Sequence, residues 1–384
     1  MDTNHQGAPG SASDQDADVL GRRALLGVSA GVLGIAALAA RSGAGPLNPP
    51  AGPLGPTGRT LLEIEPRTPV QSLPGNASNT HVIGQSGNYY LTGDIVRVPG
   101  KTAILITADH VTIDLNGYSL IGNRTGGGIE SGIEVFGSHK GVHVRNGTIR
   151  GWPFYGVIGY GERCRFEDLR IENNGAGGLE MSMTHSLVHR CIVHNDAEIS
   201  IGAGHGSLVS ECVVFGGNRG IMTGEASIVR DCTVQGAGFG VDVGSGIVER
   251  CTVRANNVPG AIGIAVVQAT RIEANTVVAC GDTGIRAQRG STVCGNIVMQ
   301  CGVGIDLIGS SGPGSVGAFI NRAERNNLSS NATGFRAQNG GSVIVANTVA
   351  GSGAQSYSVV AGNPMGTVRS DPAASTSAWD NFAF

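Results

Sequence analysis

One period runs through most of this chain. The stretches L-V-H-R-C-I-V, L-V-S-E-C-V-V, I-V-R-D-C-T-V and I-V-E-R-C-T-V follow one another between Leu187 and Val253. Their cysteines, Cys191, Cys212, Cys232 and Cys251, are 21, 20 and 19 residues apart. Asn146 and Asp168 hold the cysteine's place upstream, and Asn275, Asn296, Asn327 and Asn347 hold it downstream. A second mark travels in phase, a small residue before an apolar one: Gly132-Ile133, Gly156-Val157, Gly178-Leu179, Gly220-Ile221, Gly240-Val241, Gly263-Ile264, Gly284-Ile285, Gly304-Ile305 and Gly334-Phe335. Two marks held in phase over so many residues require a repeat architecture in which each unit packs only on its neighbours.

The units are strands, not helices. No segment carries an apolar stripe at helical spacing, whereas alternation is frequent. Val241 and Val243 read inward with Asp242 outward, and Ile305 and Leu307 inward with Asp306 outward. Each unit reads as three short strands with corners between them. Glycine, at 63 of 384 residues, far exceeds its usual share of roughly 7%; it is spread through the repeats and therefore belongs to corners. A net charge of −3 argues against a nucleic-acid partner, which would want a basic face.

Residues 1–44 read as an export signal: a polar start, then Arg22-Arg23, an apolar run to Ala40 and small residues. The arginine pair resembles a twin-arginine signal, with Gly21 where serine or threonine usually stands. An uncleaved anchor is the alternative, and the only membrane contact expected. Export places the chain in the periplasm, at the cell surface or outside the cell. Residues 45–78 hold eight of the 15 prolines and read as a semi-rigid linker. Residues 79–362 form the repeat domain, with 79–128 as atypical capping turns. The long step from Asn296 to Asn327 puts a Gly/Ser loop at Gly309–Ala318. Residues 363–384 form a tail whose aromatic end, Trp379 to Phe384, is expected to dock on the last turn.

Three-stranded coils of about 21–23 residues with an Asn or Cys file at one corner resemble the right-handed parallel β-helix of the pectin-lyase-like superfamily. The resemblance covers about residues 82–362. T-I-D-L-N-G at 112–117 is similar to an opening coil of such proteins. The proline-rich entry I-E-P-R-T-P-V at 64–70 resembles exported bacterial β-helix proteins of unassigned function. The resemblance implies an all-β fold with rungs ~4.8 Å apart. Stacked cysteines are then too far apart for disulfides, which need Cβ atoms ~3.8 Å apart. Cys280 and Cys301 also share a file, and a bridge between them stays open.

The resemblance further implies that substrate lies along the sheet of the Gly-Ile strands. Its outward file reads Glu134, Ile158, Glu180, Ser200, Met222, Asp242, Ala265, Arg286, Asp306 and Arg336. Glu134 and Glu180 lie two coils apart, ~10 Å, near the upper end of the carboxylate spacing of inverting glycosidases. A solvated face with scattered charge is the alternative. At the next corner His139, Glu162, His185, His205 and Glu225 read at nearly one height. Such a stack could hold a divalent metal or serve as acid and base, or be a plain polar corner; no other cofactor is called for. The catalytic candidates are Glu180, His185, His205 and Asp242, and the substrate-binding candidates are Glu134, Arg286, Asp306 and Arg336. G-A-G-H-G-S at 202–207 resembles a polygalacturonase stretch, but its histidine follows the Gly-Ile strand. No Asp-Asp pair or Arg-Ile-Lys accompanies it, and the clustered acids of calcium-dependent pectate lyases are missing. Two functions remain: binding of extracellular polysaccharide, with or without lyase or hydrolase processing; or a non-catalytic surface rod.

Overall fold

A computed structural model describes residues 66–124, 128–194, 198–255, 257–309 and 320–384. The chain divides into two compact units, Met1–Ile64 and Glu65–Phe384, and every described residue belongs to the second. The export signal, most of the proline-rich linker and all but the first residue of the Gly309–Ala318 loop lie outside the described residues.

Each turn of chain contributes one strand to a thirteen-stranded sheet and two to a sheet of twenty-five strands. The coil around Cys251 is representative. Phe239–Val243 lies in the first sheet, while Gly246–Glu249 and Thr252–Arg254 lie in the second. All pairings are parallel, and each strand bonds its counterparts in the coils before and after. The fold is therefore an all-β solenoid.

The apolar marks supply the core. Val157, Leu179, Ile201, Ile221, Val241, Ile264, Ile285, Ile305 and Phe335 form one inward file and are fully buried. The small residue before each is required by close approach. A Cβ on Gly240 would strike Val253 and the carbonyl of Gly263 in the next coil.

Between the second and third strands the chain bends through one left-handed residue per coil. Asn146, Asp168, Arg190, Glu211, Asp231, Arg250, Ala274, Arg325 and Ala346 have φ between 50° and 60°. Non-glycine residues rarely adopt this conformation, so its recurrence makes it a condition of the bend. The following residue turns inward. The inward file is thus Gly147, Leu169, Cys191, Cys212, Cys232, Cys251, Asn275, Asn296, Asn326 and Asn347. Three sequence assignments are corrected by one residue: Asn146 and Asp168 occupy the bend itself, and Asn326 replaces Asn327.

In the asparagine half, each side chain bridges coils. Asn275 Nδ2 donates to Asn296 Oδ1 (3.0 Å), Asn296 to Asn326 (3.0 Å), Asn326 to Asn347 (2.9 Å) and Asn347 to Asn381 (3.2 Å). The same oxygens accept the backbone N–H of the preceding file residue, beginning with Cys251 (2.9 Å). Each amide also reaches a carbonyl one coil back, as Asn275 does at Val248 (3.0 Å). The cysteines keep a weaker form of that last bond: Cys212 Sγ lies 3.7 Å from the Val188 oxygen and Cys251 Sγ 3.8 Å from that of Val229. They are free thiols, as are Cys280 and Cys301. The neighbouring thiols of the file, then burial, push the Cys212 and Cys251 thiols up.

The ends differ from the sequence reading. Thr68–Pro69 already pairs with Tyr89 and Tyr90, so the solenoid begins inside the proline-rich stretch. Proline is tolerated there because an end strand has one unused side. At the other end Asn381–Ala383 pairs with Thr348 and Val349. Asn381, fully buried, and Phe382, in register with Thr348, seat this tail, while Trp379 and Phe384 are more than half exposed.

The ladder generates a one-residue test. Asn326→Ala removes bonds to Asn347, to the Val293 carbonyl and from the Asn296 N–H and side chain. Orphaning those buried groups should cost about 2 kcal/mol or more. Asn327→Ala, at an exposed position, should change the urea midpoint by less than about 0.5 kcal/mol.

Candidate functional site

The thirteen-stranded sheet turns one file of side chains outward, fixed by register: Leu105, Glu134, Ile158, Glu180, Gly202, Met222, Asp242, Ala265, Arg286, Asp306 and Arg336. Gly202 replaces the expected Ser200. Ser200 is buried, its hydroxyl donating to the Gly216 carbonyl (3.2 Å). It stands where other coils carry the small residue of the Gly-Ile mark.

Most charges in this file close on one another. Asp242 pairs with Arg219, whose guanidinium also covers the Phe239 ring at 5.0 Å. Arg336 grips Asp306 with two bonds of 3.0 and 2.8 Å, and Gln338 Nε2 reaches both carboxylate oxygens at 3.2 Å. Arg286 bonds Asp282 at 2.8 Å. Asp306, expected to meet substrate, is completely buried. It anchors Arg336 instead of facing solvent, because a carboxylate on a crowded file must be covered by its donors. The charge of the file is therefore largely neutralised. Glu134 and Glu180 differ: neither has a cationic partner among the described residues.

Glu180 borders a groove of about 190 Å³. Gly202, next in the file after Glu180, leaves that position without a side chain, and Ser182, His205, Met222 and Thr223 share the lining. Tyr155, at the start of the neighbouring strand, is buried close enough to Glu180 to feel its charge. Burial first, then that carboxylate, pushes its phenol well above the usual value. His205 Nδ1 accepts the Glu225 N–H at 3.0 Å, so in the neutral ring Nε2 carries the proton. Tyr155, which is buried, had no role in the sequence reading.

The corner stack does not form as expected. Lys140 pairs in register with Glu162, their side chains 3.8 Å apart, while His139 turns to Asp109 at 2.9 Å. His185 N–H donates to the His205 carbonyl, and the His185 ring lies against Gly206. His139 and His185 are thus one residue out of step with His205 and Glu225, because corner lengths vary between coils. Among the described residues, no three His, Cys, Asp or Glu side chains gather as a metal site would. Glu180 and His205 share the groove; His185 is not among its lining residues.

A second hollow, of about 340 Å³, opens two rungs away, around Glu134. Leu105, Ile129 and Phe136 form its apolar side; Asn79, Thr102 and Glu130 form its polar side. Burial raises the Glu134 carboxyl above its ordinary value.

With the geometry in place, comparison with known proteins agrees on the fold. Residues 131–271 match the family described as right handed beta helix region. The A-module of Azotobacter vinelandii mannuronan C-5 epimerase AlgE4 superposes with a TM-score of 0.51 at 15% identity, over 77% of this chain and 87% of that one. The AlgE6 A-module from the same organism gives 0.50 at 14% identity, over 78% and 90%. No curated protein matches the sequence. Residues 131–271 thus match a right-handed β-helix, and the solenoid shares its fold with these modules.

An ionised carboxylate held by burial alone costs stability. Because the folded value of Glu134 lies above 4.5, the cost is full at pH above the raised value and absent below 4.5. Glu134→Gln should therefore raise the unfolding midpoint at pH 7, by at most about 1 kcal/mol after solvent screening. The gain should vanish as pH falls through the raised value, as followed by thermal melts across pH.

Proposed function

We propose that this is an exported protein that binds polysaccharide along the outer face of the thirteen-stranded sheet and hydrolyses it in the Glu180 groove. The observation that carries the reading is the groove itself. A carboxylate without a cationic partner among the described residues shares with a histidine a groove whose floor, at Gly202, has no side chain. Such a floor admits a flat chain close to the backbone. Glu180 can take a proton, and His205, once protonated at Nδ1 in place of its contact with the Glu225 N–H, can give one from Nε2, the two duties that glycosidic hydrolysis requires. No cation lines the groove to neutralise a uronate, which favours a neutral or cationic glycan. The likeness to two modules of enzymes named for acting on mannuronan supports carbohydrate as the ligand class. The arginine pair and apolar run of residues 1–44 support export.

The mutual pairing of Asp242 with Arg219 and of Asp306 with Arg336 favours a second reading, a surface or envelope rod that binds without catalysis. A glycan array followed by a product screen on the bound glycans separates the two. The first reading expects binding and turnover. Glu180→Gln should lower turnover by roughly 100-fold or more while keeping binding, and His205→Ala should lower turnover similarly. Binding without turnover selects the rod; neither binding nor turnover on any glycan sinks both carbohydrate readings.

A further inference from the structure

The hollow around Glu134 has an unusual balance of charge. Its apolar side is solvent-facing, with Ile129 81% and Phe136 63% exposed. Across from it stand two carboxylates. Glu130 is buried and already paired: Arg97 Nη2 donates to its Oε1 at 3.0 Å and the Gly100 N–H at 2.7 Å. Its Oε2 is buried with no donor among the described residues. Glu134 has neither a cation nor a hydrogen-bond donor among the described residues, and its neighbours in the file are Leu105 and Ile158. No cationic side chain lines the hollow.

A half-buried anion between apolar neighbours is unfavourable unless a ligand supplies the missing charge. The complementary ligand brings N–H donors with a positive charge, together with an apolar surface for Phe136 and Leu105. A sugar ring offers C–H faces for an aromatic platform, and an unacetylated amino group offers the charge. We propose that this hollow is a subsite for an amine-bearing sugar, a hexosamine unit whose nitrogen is free and protonated. The ammonium meets Glu134 and the ring lies on Phe136.

This inference rests on the reading of the outer sheet face as a polysaccharide surface. Glu134 and Glu180 belong to one file, two rungs or ~10 Å apart, so a single chain laid along the file reaches both. The hollow selects the polymer and the groove acts on it. Its volume of about 340 Å³ falls at the small end of ligand pockets, which suits one sugar unit.

The test is titration calorimetry at pH 6 with glucosamine oligosaccharide and its N-acetylated counterpart. The native protein should bind the amine-bearing oligomer about tenfold more tightly, the worth of one charged hydrogen bond. Glu134→Gln should erase the preference without lowering the unfolding midpoint. Phe136→Ala should weaken both ligands, and Glu180→Gln should leave the preference intact. Equal affinity for the two oligomers in the native protein overturns the proposal, as does a preference that survives Glu134→Gln. If that occurs while other glycans still bind, the polysaccharide face stands and only the subsite fails. If no glycan binds in the array, the face and the subsite fail together.

Discussion

The left-handed bend between the second and third strands is the constraint on which the rest depends. It fixes which residue of each coil points inward, and the inward residue then locks the register. In the asparagine half the lock is explicit: one side-chain oxygen accepts two N–H groups from the coil before it. A slip of one residue would turn every Asn away from its partners and every valine of the core toward solvent. The cysteine half keeps register more weakly, through thiol contacts with carbonyls and through packing. Bonded rungs at one end and packed rungs at the other suit a rod whose first coils carry the candidate sites.

Register also explains how a repetitive face becomes locally distinct. Every coil delivers an outward residue to the same file, so character arises where a coil departs from its neighbours. Gly202 interrupts the file between Glu180 and Met222. The groove is thus made by subtraction. Elsewhere the file closes on itself, as Arg336 over Asp306 shows. The two carboxylates left without cations, Glu134 and Glu180, are those beside hollows.

The period, the all-β class and the inward and outward sides of the Gly-Ile strands were legible, because a file of like residues leaves a plain mark in sequence. What failed did so at corners. Asparagine is favoured both at a left-handed bend and in an inward ladder, so Asn146 was assigned to the ladder while it occupies the bend. In the pair Asn326-Asn327 only the bend at Arg325 decides between them. Corner lengths differ between coils, which displaced His139 and His185 from the stack predicted for them. Burial of Asp306 could not be read from alternation, since alternation gives direction and not cover. The Glu180 groove was only half legible: its carboxylate and histidine were candidates, but its floor at Gly202 is an absent side chain and the nearby tyrosine comes from an adjoining file.

The central claim is that like positions stack one rung per coil over the whole rod. Ile192 and Ile297 are both partly exposed and stand in one file through Val213, Thr233, Thr252 and Thr276, five rungs apart. Nitroxide labels on Ile192→Cys and Ile297→Cys, in a background whose native thiols stay buried or are replaced, measure that separation by pulsed electron resonance. Stacking predicts one narrow distance near ~24 Å. A broad distribution, or a distance well beyond ~35 Å for the same five rungs, would contradict the stacked register and every surface built on it.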